Sequence, residues 1–482
     1  MKIILITLIF TLGFSLSSQT LAAEWRRYES RNFIVYSDLS KKQTLKKIHS
    51  FEQFKLSLHK FLNISESAET VPFEVYLFRN KQTLRKFTEK YNIAGFYMDR
   101  PGHPLMVVGP GSDDTIFFHE YVHFLNHRLG NFVYPRWYSE GIAEFYSTLD
   151  FKGNKAIIGG VPQDRLGWLG RSDMLPIKSL LEPGDSFKSH RFTGRFYATS
   201  WLLAHRMMLG PANGMKDYSD PFKKYLLRYT QGEKSADVFF EEFGVDGKEI
   251  SNDLRRYAGM KMWNAIGIEV PDIPTNVKDH SLNEQEVVNI KVRLALASNN
   301  WDYAKTLLSE NKKLINSEGR AALAIIQGHA SNEVGEEASL IEELLEEQSL
   351  SGVAHAYLAH ALWDFAEKKP DNRGALLEEA LSHFETARAQ NSLYGENTLL
   401  VKVYWELGRR QSALNEIIRL LKLNPASRSV NLLAGEYSIK AGMPQDARLF
   451  LNRVVDWAHS EEQAEKAIQL LAQLDDIDAQ AE

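Results

Sequence analysis

The feature that most constrains this chain is a run of thirty residues, Phe117–Tyr146, in which two histidines stand four positions apart among apolar side chains. The run begins FFHEYVHFLNH and contains the pattern H-E-x-x-H at His119–His123. On a helix these histidines lie one turn apart, about 6 Å along the axis and about 40° apart in azimuth. Their apolar neighbours predict a largely buried helix, and buried histidines beside a buried glutamate are costly without a binding role.

A metal ion is the predicted partner of this helix. Both imidazoles can reach one ion at about 2.0–2.1 Å, so His119 and His123 are candidate ligands. Glu120 lies too far round the helix to be a good ligand, but it can act as general base on a water molecule at the ion. His127 continues the spacing but lies about 12 Å from His119 along the axis, which one ion cannot bridge. We interpret His127 as a structural or surface histidine.

A catalytic zinc ion needs a third protein ligand and one open position. Glu140 is the best candidate because it lies near the start of a second predicted helix, after a break at Gly130 and Pro135. A helix–loop–helix return can bring it back over the first helix. Glu144, one turn further on, can accept a hydrogen bond from a ligand histidine and so fix its tautomer.

The surrounding residues predict an α+β domain at 24–268. Three runs rich in β-branched and aromatic residues are predicted strands, at 31–36, 72–78 and 104–108. Ser40–Leu62 carries apolar residues at helical spacing, and Asp113 or Asp114 can cap the motif helix. A hairpin and four helices are predicted to follow, at 151–161, 192–209, 221–229, 235–243 and 248–262.

The C-terminal part is predicted to be a separate all-α module. Polar residues with two prolines at 269–283 indicate a linker, and residues 284–482 have a helical pattern. Gly408 and Gly442 lie 34 residues apart within similar segments. A 34-residue period of helix–turn–helix units is typical of tetratricopeptide (TPR) repeats, which stack into a solenoid with an extended binding surface. A generic helical bundle is the alternative.

The N-terminal residues 1–23 are predicted to be a signal peptide, with an uncleaved membrane anchor as the alternative. Lys2 precedes a 14-residue apolar run, shorter than the roughly 20 residues that span a bilayer, and small residues at Ala22 and Ala23 permit cleavage. No later segment is long and apolar enough to span a membrane. The absence of cysteine fits a bacterial periplasm better than eukaryotic secretion. A net charge of −5 over 482 residues argues against a general nucleic-acid binder.

The motif and its spacing resemble those of the gluzincin metallopeptidases. H-E-Y-V-H at 119–123, sixteen further residues, and Glu140 within W-Y-S-E-G-I-A-E-F-Y are similar to aminopeptidase-N-like, thermolysin-like and bacterial peptidase-MA-like domains. The resemblance implies a thermolysin-like fold with a small mixed sheet, and one Zn2+ per chain with Glu140 as its third ligand. It also implies Glu144 as a supporting carboxylate, where thermolysin-like enzymes carry an aspartate.

The same resemblance suggests an oxyanion donor. Aminopeptidase-N-like enzymes use a tyrosine on a later helix, and F-Y-A-T-S-W makes Tyr197 the corresponding catalytic candidate. A tyrosine that only packs in its helix is the alternative, and His190, Arg191 and Arg195 are other possible donors.

Two features of residues 95–111 bear on the type of cleavage. Aminopeptidases carry a glutamate for the substrate's free amine in a G-x-M-E-N stretch, and this region has no such glutamate, which favours endopeptidase action. The strand Leu105–Val108 is expected to be a sheet edge to which an extended substrate adds, with an ordinary core or edge strand as the alternative.

These observations predict an exported, periplasmic zinc endopeptidase whose TPR-like region binds the polypeptide substrate or a protein partner. The domain plan resembles TPR-bearing periplasmic metallopeptidases of envelope protein quality control, although those place the third glutamate much further from the histidines. One alternative is an interaction protein built on the TPR-like region, with a non-catalytic metal domain. Another is a metal hydrolase that acts on a different bond, such as a cell-wall amide.

Overall fold

The structure is a computed structural model of the 482-residue chain. It describes residues 24–64, 73–88, 94–100, 102–111, 113–129, 133–171, 173–183, 189–270, 276–330, 335–390, 394, 398–458 and 461–481. The predicted signal peptide therefore lies outside the described residues. Over the described part, the mixed α and β architecture is confirmed, with a small mixed sheet and a helical C-terminal region.

Six short strands form the N-terminal sheet. They are β1 (Arg26–Glu29), β2 (Phe33–Ser37), β3 (Phe73–Leu77), β4 (Gly95–Met98), β5 (Leu105–Val108) and β9 (Lys278–Ser281), in the order β4-β5-β3-β2-β1-β9. β3 is parallel to both of its neighbours, and the other pairs are antiparallel. The three strands predicted from the sequence are all present, as β2, β3 and β5.

The edge of this sheet is not where the sequence predicted it. β5 lies between β3 and β4, so the expectation that Leu105–Val108 forms an edge is wrong. Among the described residues the edge strands are β4 and β9, and β4 pairs with β5 on one side only. Because β4 has four residues and begins with a glycine, it carries too little local pattern to be recognised before its partner is known.

One face of the sheet is covered by two helices, α1 (Lys41–Phe61) and α3 (Thr115–Leu129). α1 begins with a capping box in which Ser40 and Gln43 exchange hydrogen bonds. α3 is the helix that carries the two histidines, and the Asp113 side chain accepts a hydrogen bond from the Thr115 amide at its start. The sheet and α1 thus form the platform on which the motif helix rests.

The middle of the chain adds a second sheet and a helical layer. The sheet is three-stranded, with the order β6 (Asp150–Lys152), β7 (Lys155–Ile158) and β8 (Ile266–Glu269). The helices are α2 (Lys81–Arg85), α4 (Arg136–Ser147), α5 (Gln163–Arg171), α6 (Ile177–Leu181), α7 (His190–Leu209), α8 (Ser219–Thr230), α9 (Ala236–Phe243) and α10 (Gly247–Ala258). Apart from α2, which follows β3, these helices pack around the long, apolar α7, whose Phe196, Trp201 and Leu202 are fully buried.

The C-terminal region consists of consecutive helices. They are α11 (Glu284–Ala297), α12 (Trp301–Glu310), α13 (Ser317–Ala330), α14 (Gly335–Leu345), α15 (Gly352–Lys368), α16 (Arg373–Ala389), α17 (Thr398–Glu406), α18 (Arg410–Leu423), α19 (Arg428–Lys440), α20 (Pro444–Trp457) and α21 (Glu461–Ala481). Gly408 and Gly442 end α17 and α19 in the same left-handed conformation, with φ of 73° and 72°. Both positions favour glycine for that reason, and one pair of helices, α18 and α19, lies between them.

The C-terminal helices cover the second face of the N-terminal sheet. Tyr36, Tyr76, Leu105 and Val107 belong to one buried cluster with residues of α11, α13 and α15. The segment predicted as a linker also takes part, because its residues 278–281 form β9 and pair with β1. The two parts of the chain therefore share a core in this structure.

The last helices also contact the motif helix and the layer below it. The Ala426 amide donates to the carbonyl oxygen of His127, at 3.1 Å, and the Asn424 side-chain amide donates to Asp99, just beyond β4. Lys234, between α8 and α9, forms an ion pair with Asp456 of α20. Within the described ranges, none of the helices combines the length and the apolar character needed to cross a membrane.

Candidate metal centre

The two histidines are presented by a helix whose opposite face is held in the core. Phe117 stacks on Phe51 of α1 with ring centroids 3.6 Å apart, and Phe118 stacks on Phe54 at 3.9 Å. Stacked aromatic pairs of this kind bury a large area and fix the rotation of a helix about its axis. The rotation that buries these rings turns His119 and His123 toward α4.

The second helix, α4, packs closely on α7 and brings two glutamates to the histidines. A Cβ atom at Gly141 would lie 2.4 Å from the carbonyl oxygen of Ser200 in α7, which no side chain tolerates. The glycine between Glu140 and Glu144 therefore permits the close approach of these two helices. This approach places both glutamates beside His119, and the same α7 carries Tyr197.

Three ligand atoms converge at the centre of the site. The Nε2 atoms of His119 and His123 are 3.1 Å apart, and Glu140 Oε2 lies 3.4 Å from each of them. One ligand atom from each of the three residues lies within 4.8 Å of the others. The structure thus brings together the three residues that the sequence analysis proposed as ligands.

The chemistry of this donor set fits a divalent cation. Glu140 Oε2 is buried and has no hydrogen bond of good geometry among the described residues, which is costly for a carboxylate oxygen without a further partner. Two imidazole nitrogens and one carboxylate oxygen form a ligand set of the type that binds catalytic zinc. Three carboxylates surround the imidazoles, those of Glu120, Glu140 and Glu144. Arg165 pairs with Glu144, so a positive ion would balance the charge of the other two.

The outer nitrogens of both imidazoles are held by groups on α4. His119 Nδ1 lies 3.4 Å from Glu144 Oε1, and His123 Nδ1 lies 3.5 Å from the hydroxyl of Ser139. Contacts of this kind fix the ring orientation and leave Nε2 facing the centre. The position predicted for Glu144, beside a candidate ligand histidine, agrees with this geometry.

Arg165 of α5 is the partner of Glu144 that the sequence analysis missed. Its Nε and Nη2 donate to the two oxygens of Glu144, at 2.9 and 2.6 Å. The same guanidinium lies over the Tyr197 ring, 5.2 Å from its centroid, and Tyr197 lies 6.4 Å from the ring of His119. Arg165, Tyr197, Glu120 and His119 line one pocket, so the tyrosine lies beside the candidate centre.

The electrostatics of the site follow from its burial and its three carboxylates. Burial acts to lower the pKa of His119, but Glu140, Glu144 and Glu120 outweigh it and raise the pKa to about 9. Burial raises the pKa of Glu120 despite the neighbouring imidazoles. Burial acts to raise the pKa of Glu140 as well, but the two histidines hold it well below its ordinary value. Burial and the nearby carboxylates raise the pKa of Tyr197, so its phenol keeps its proton.

The remaining candidates lie away from the centre. His127 is turned toward Asp99, with Nδ1 3.8 Å from its carboxylate, and is not among the converging ligands. Arg195 donates to the backbone oxygens of Asp173 and Met174. His190 and Arg191 are exposed at the start of α7, and among the described residues neither lines the pocket that contains Glu120.

Arg165 and Ser139 had no recognisable signal in the sequence. Arg165 is 21 residues beyond Glu144, in a nine-residue helix without a motif, and only the tertiary fold brings the two together. Ser139 stands directly before Glu140, and because neighbouring residues on a helix point about 100° apart, spacing did not single it out. The sequence matches no family model, and no curated protein matches it at a significant level.

Proposed function

We propose that this chain is a zinc-dependent endopeptidase of the gluzincin type, with His119, His123 and Glu140 as the zinc ligands. The observation that carries the proposal is the convergence of these three ligand atoms within 4.8 Å, directly beside Glu120. When bound at these residues, zinc would polarise the substrate carbonyl group and make water more acidic.

The chain's own residues supply the proton transfers and the positioning. The Glu120 carboxylate takes the proton of the attacking water and passes it to the nitrogen of the leaving amine. The Tyr197 hydroxyl, which remains protonated, donates a hydrogen bond to the oxygen on which negative charge develops. Glu144 and Ser139 hold the imidazoles in the orientation that aims both Nε2 atoms at the centre.

The edge strand β4 supports action on an extended polypeptide. Ala94 and Gly95, at the start of β4, line the same pocket as His119 and Glu120. An extended peptide can pair with the free backbone groups of an edge strand and so lie across the candidate centre. This assigns to β4 the role that the sequence analysis gave to Leu105–Val108. Because residues 95–111 contain no glutamate for a substrate amine, internal peptide bonds are the proposed targets.

The proposed location is the bacterial periplasm, which rests on the expected signal peptide at 1–23 and on the absence of cysteine. The proposed role of the helical C-terminal region, as a TPR-like solenoid, is to select polypeptide substrates or a protein partner, in keeping with envelope protein quality control. N-terminal sequencing of the protein from a periplasmic extract tests the first point. A mature chain beginning near residue 23 or 24 is expected, and retention of the leader with cytoplasmic fractionation would contradict it.

The decisive experiment measures zinc and proteolysis on the same samples. The full chain is expected to hold one zinc ion per molecule and to cleave casein in a chelator-sensitive manner. Glu120→Gln is expected to retain the zinc and to lose activity by roughly 100- to 10,000-fold, since it removes the general base. Glu140→Gln is expected to lose zinc as well.

The matched control is Glu346→Gln, which changes an exposed carboxylate of the helical region and should leave both readings unchanged. Full proteolysis by Glu120→Gln would contradict the mechanism. Stoichiometric zinc without cleavage of any polypeptide would favour the alternative of an interaction protein with a non-catalytic metal domain.

A further inference from the structure

A second pocket lies between the sheet and the C-terminal helices. It encloses about 350 Å3 and is bounded by the connection from β4 to β5 on one side. On the other side, its wall comes from α11, α13, α15, α17 and α19, together with Trp301 at the start of α12. The volume lies at the lower end of the range for small-molecule sites, roughly 300–1,000 Å3. It excludes a folded partner but admits a short peptide or a small organic molecule.

Arg100 gives this pocket a positive charge without a carboxylate partner. Its Nη2 donates to the carbonyl oxygen of Ala297, at 2.6 Å, and no acidic side chain of the described residues lies within ion-pair distance of it. By contrast, Arg293 in the same wall is neutralised by a two-point ion pair with Glu318, both contacts being 2.6 Å. His103 is likewise hydrogen-bonded to a buried carboxylate, that of Glu74.

Asp99, the acidic residue that lines the pocket, already has hydrogen-bond partners within the protein. The Asp99 carboxylate accepts hydrogen bonds from the Asn424 amide and, at 3.2 Å, from the Tyr97 hydroxyl. Its other oxygen lies 3.8 Å from His127. Asp99 is therefore bound to groups of the protein, and Arg100 is left as the charged group available to a ligand.

A buried hydroxyl provides the second recognition element. Tyr357 is 8% exposed and lines the pocket. Its hydroxyl has no hydrogen-bond partner among the described residues, which native structures generally avoid. The ring lies 5.8 Å from that of Tyr394, in an edge-on contact. Because the hydroxyl oxygen has no accessible surface in this structure, a ligand's acceptor atom would satisfy it once the neighbouring side chains shift.

His360 also lines the pocket, with charged groups of both signs around it. Its side chain is 31% exposed and faces the pocket. Burial by the surrounding helices, together with the charges of Lys402 and Arg100, lowers the pKa of His360 to about 4. The imidazole is therefore neutral at pH 7, and the positive charges of Lys402 and Arg100 stand against one carboxylate, that of Asp364, which lies 3.6 Å from its Nε2.

We propose that this pocket binds a carboxylate group, with Arg100 as its ion-pair partner and Tyr357 as a hydrogen-bond donor. The carboxylate belongs either to the C-terminus of a short peptide or to a small organic acid. Trp301 and Tyr394 offer aromatic surface to the rest of the ligand. The site is separate from the metal centre, and its occupation does not depend on peptidase activity.

Calorimetric titration of the full chain tests the proposal. The Glu120→Gln background keeps peptide probes intact whether or not the proposed peptidase activity is real. The probes are acetyl-Ala-Ala-Phe with a free C-terminus, the same peptide as its amide, and 3-phenylpropionate. The free acid is expected to bind at least about tenfold more tightly than the amide, because the amide cannot pair with Arg100. Equal binding of 3-phenylpropionate would identify a small organic acid as the ligand class, and weaker binding would identify a peptide C-terminus.

Variants at two positions, with one control, separate recognition from folding. Tyr357→Phe removes only the unpartnered hydroxyl, so it should keep its melting temperature while binding the free acid roughly tenfold more weakly. Arg100→Gln should abolish the preference for acid over amide, Arg100→Lys should retain part of it, and Arg255→Gln, an exposed arginine of α10, should change nothing. Equal affinities for acid and amide, or no binding of any probe tighter than about 1 mM, would overturn the proposal. Unchanged binding of the free acid by folded Tyr357→Phe and by folded Arg100→Gln would also overturn it.

Discussion

Arg165 shows how one side chain can set the geometry of several others. It holds both oxygens of Glu144, and Glu144 in turn faces His119 Nδ1. Its guanidinium also lies over the ring of Tyr197. The guanidinium of Arg165 therefore fixes Glu144, which orients the candidate ligand His119. The same guanidinium packs on Tyr197, the candidate oxyanion donor. Lysine could not replace Arg165 at both Glu144 and Tyr197, because its ammonium group lacks the planar pair of donors that binds both oxygens of a carboxylate.

We expect Arg165→Gln to lower kcat by roughly 10- to 100-fold while zinc remains at one per chain, which is the usual cost of removing a supporting partner. KM should change less than kcat, because Arg165 acts through Glu144 and Tyr197. Arg165→Lys should recover only part of the loss. Arg191→Gln, an exposed arginine near the start of α7, is the control. A kcat and a zinc affinity that are both unchanged in Arg165→Gln would remove Arg165 from the site.

His205 couples the stability of the protein to pH. Tyr257 donates to its Nδ1 at 2.8 Å, and its Nε2 donates to the carbonyl oxygen of Gly159 at 3.2 Å, so the ring is held as a neutral imidazole. Burial lowers the pKa of His205 from 6.5 to about 4. Since the unfolded state takes up the proton first, the stability is complete above about pH 6.5 and falls as the pH decreases toward about 4.

The expected loss of unfolding free energy from this residue is about 3 kcal/mol between these two pH values. It is measured by urea unfolding of the wild type and of His205→Gln at about pH 7 and about pH 4.5. Burial also lowers the pKa of His360 and of His383 to about 4, so the difference between the two proteins isolates His205. Equal pH dependence in both would refute the prediction, and His190→Gln, on the surface, should behave as the wild type.

Among the elements, the contact between α4 and α7 is the one that assembles the site. α4 supplies Glu140 and Glu144, α7 supplies Tyr197, and Gly141 lets their backbones meet. We expect Gly141→Ala to destabilise the protein by roughly 1–3 kcal/mol and to weaken zinc binding, because the added methyl group pushes Glu140 away from the histidines. Thermal unfolding and zinc titration measure the two effects.

The matched control is Gly170→Ala in α5. A Cβ at Gly170 meets no atom within 4 Å, so this variant should gain up to about 1 kcal/mol from helix propensity alone. If both variants were equally stable and bound zinc equally well, the close approach of α4 to α7 would not be what positions Glu140.

Helices and strands whose pattern lies within their own residues could be predicted from the sequence, whereas elements that exist only through pairing with others could not. α3 and α4 were predictable because spacing and apolar pattern are internal to each helix, and the strands β2, β3 and β5 because they are rich in β-branched and aromatic residues. The strands β4 and β9 have four residues each, and only pairing with β5 and β1 makes them strands. The role of Arg165 could not be predicted for the same reason, since its contact with Glu144 exists only in the folded chain.

At the scale of the whole molecule, the sequence suggested two modules joined by a linker, whereas the structure joins them through the sheet. Periodicity shows that each C-terminal helix has an apolar face but not what that face covers. Here the inner helices cover Tyr36, Tyr76, Leu105 and Val107. The face that a free solenoid would offer to partners is thus partly occupied by the chain's own sheet, and the carboxylate pocket is a gap in that contact.

This arrangement predicts that the N-terminal part does not fold well alone. A chain ending at residue 283 would expose the sheet face that packs on α11, α13 and α15, so we expect aggregation, binding of a hydrophobic dye and rapid trypsin cleavage. A chain ending at residue 458 lacks only α21 and the few residues beside it. The hydrophobic cluster in which α21 takes part is separate from the core shared with the sheet. This shorter chain should therefore remain soluble, with one zinc ion per chain. A soluble, protease-resistant fragment 24–283 that binds zinc as the full chain does would show that the sheet needs no cover. In that case the C-terminal helices would act as an independent module after all.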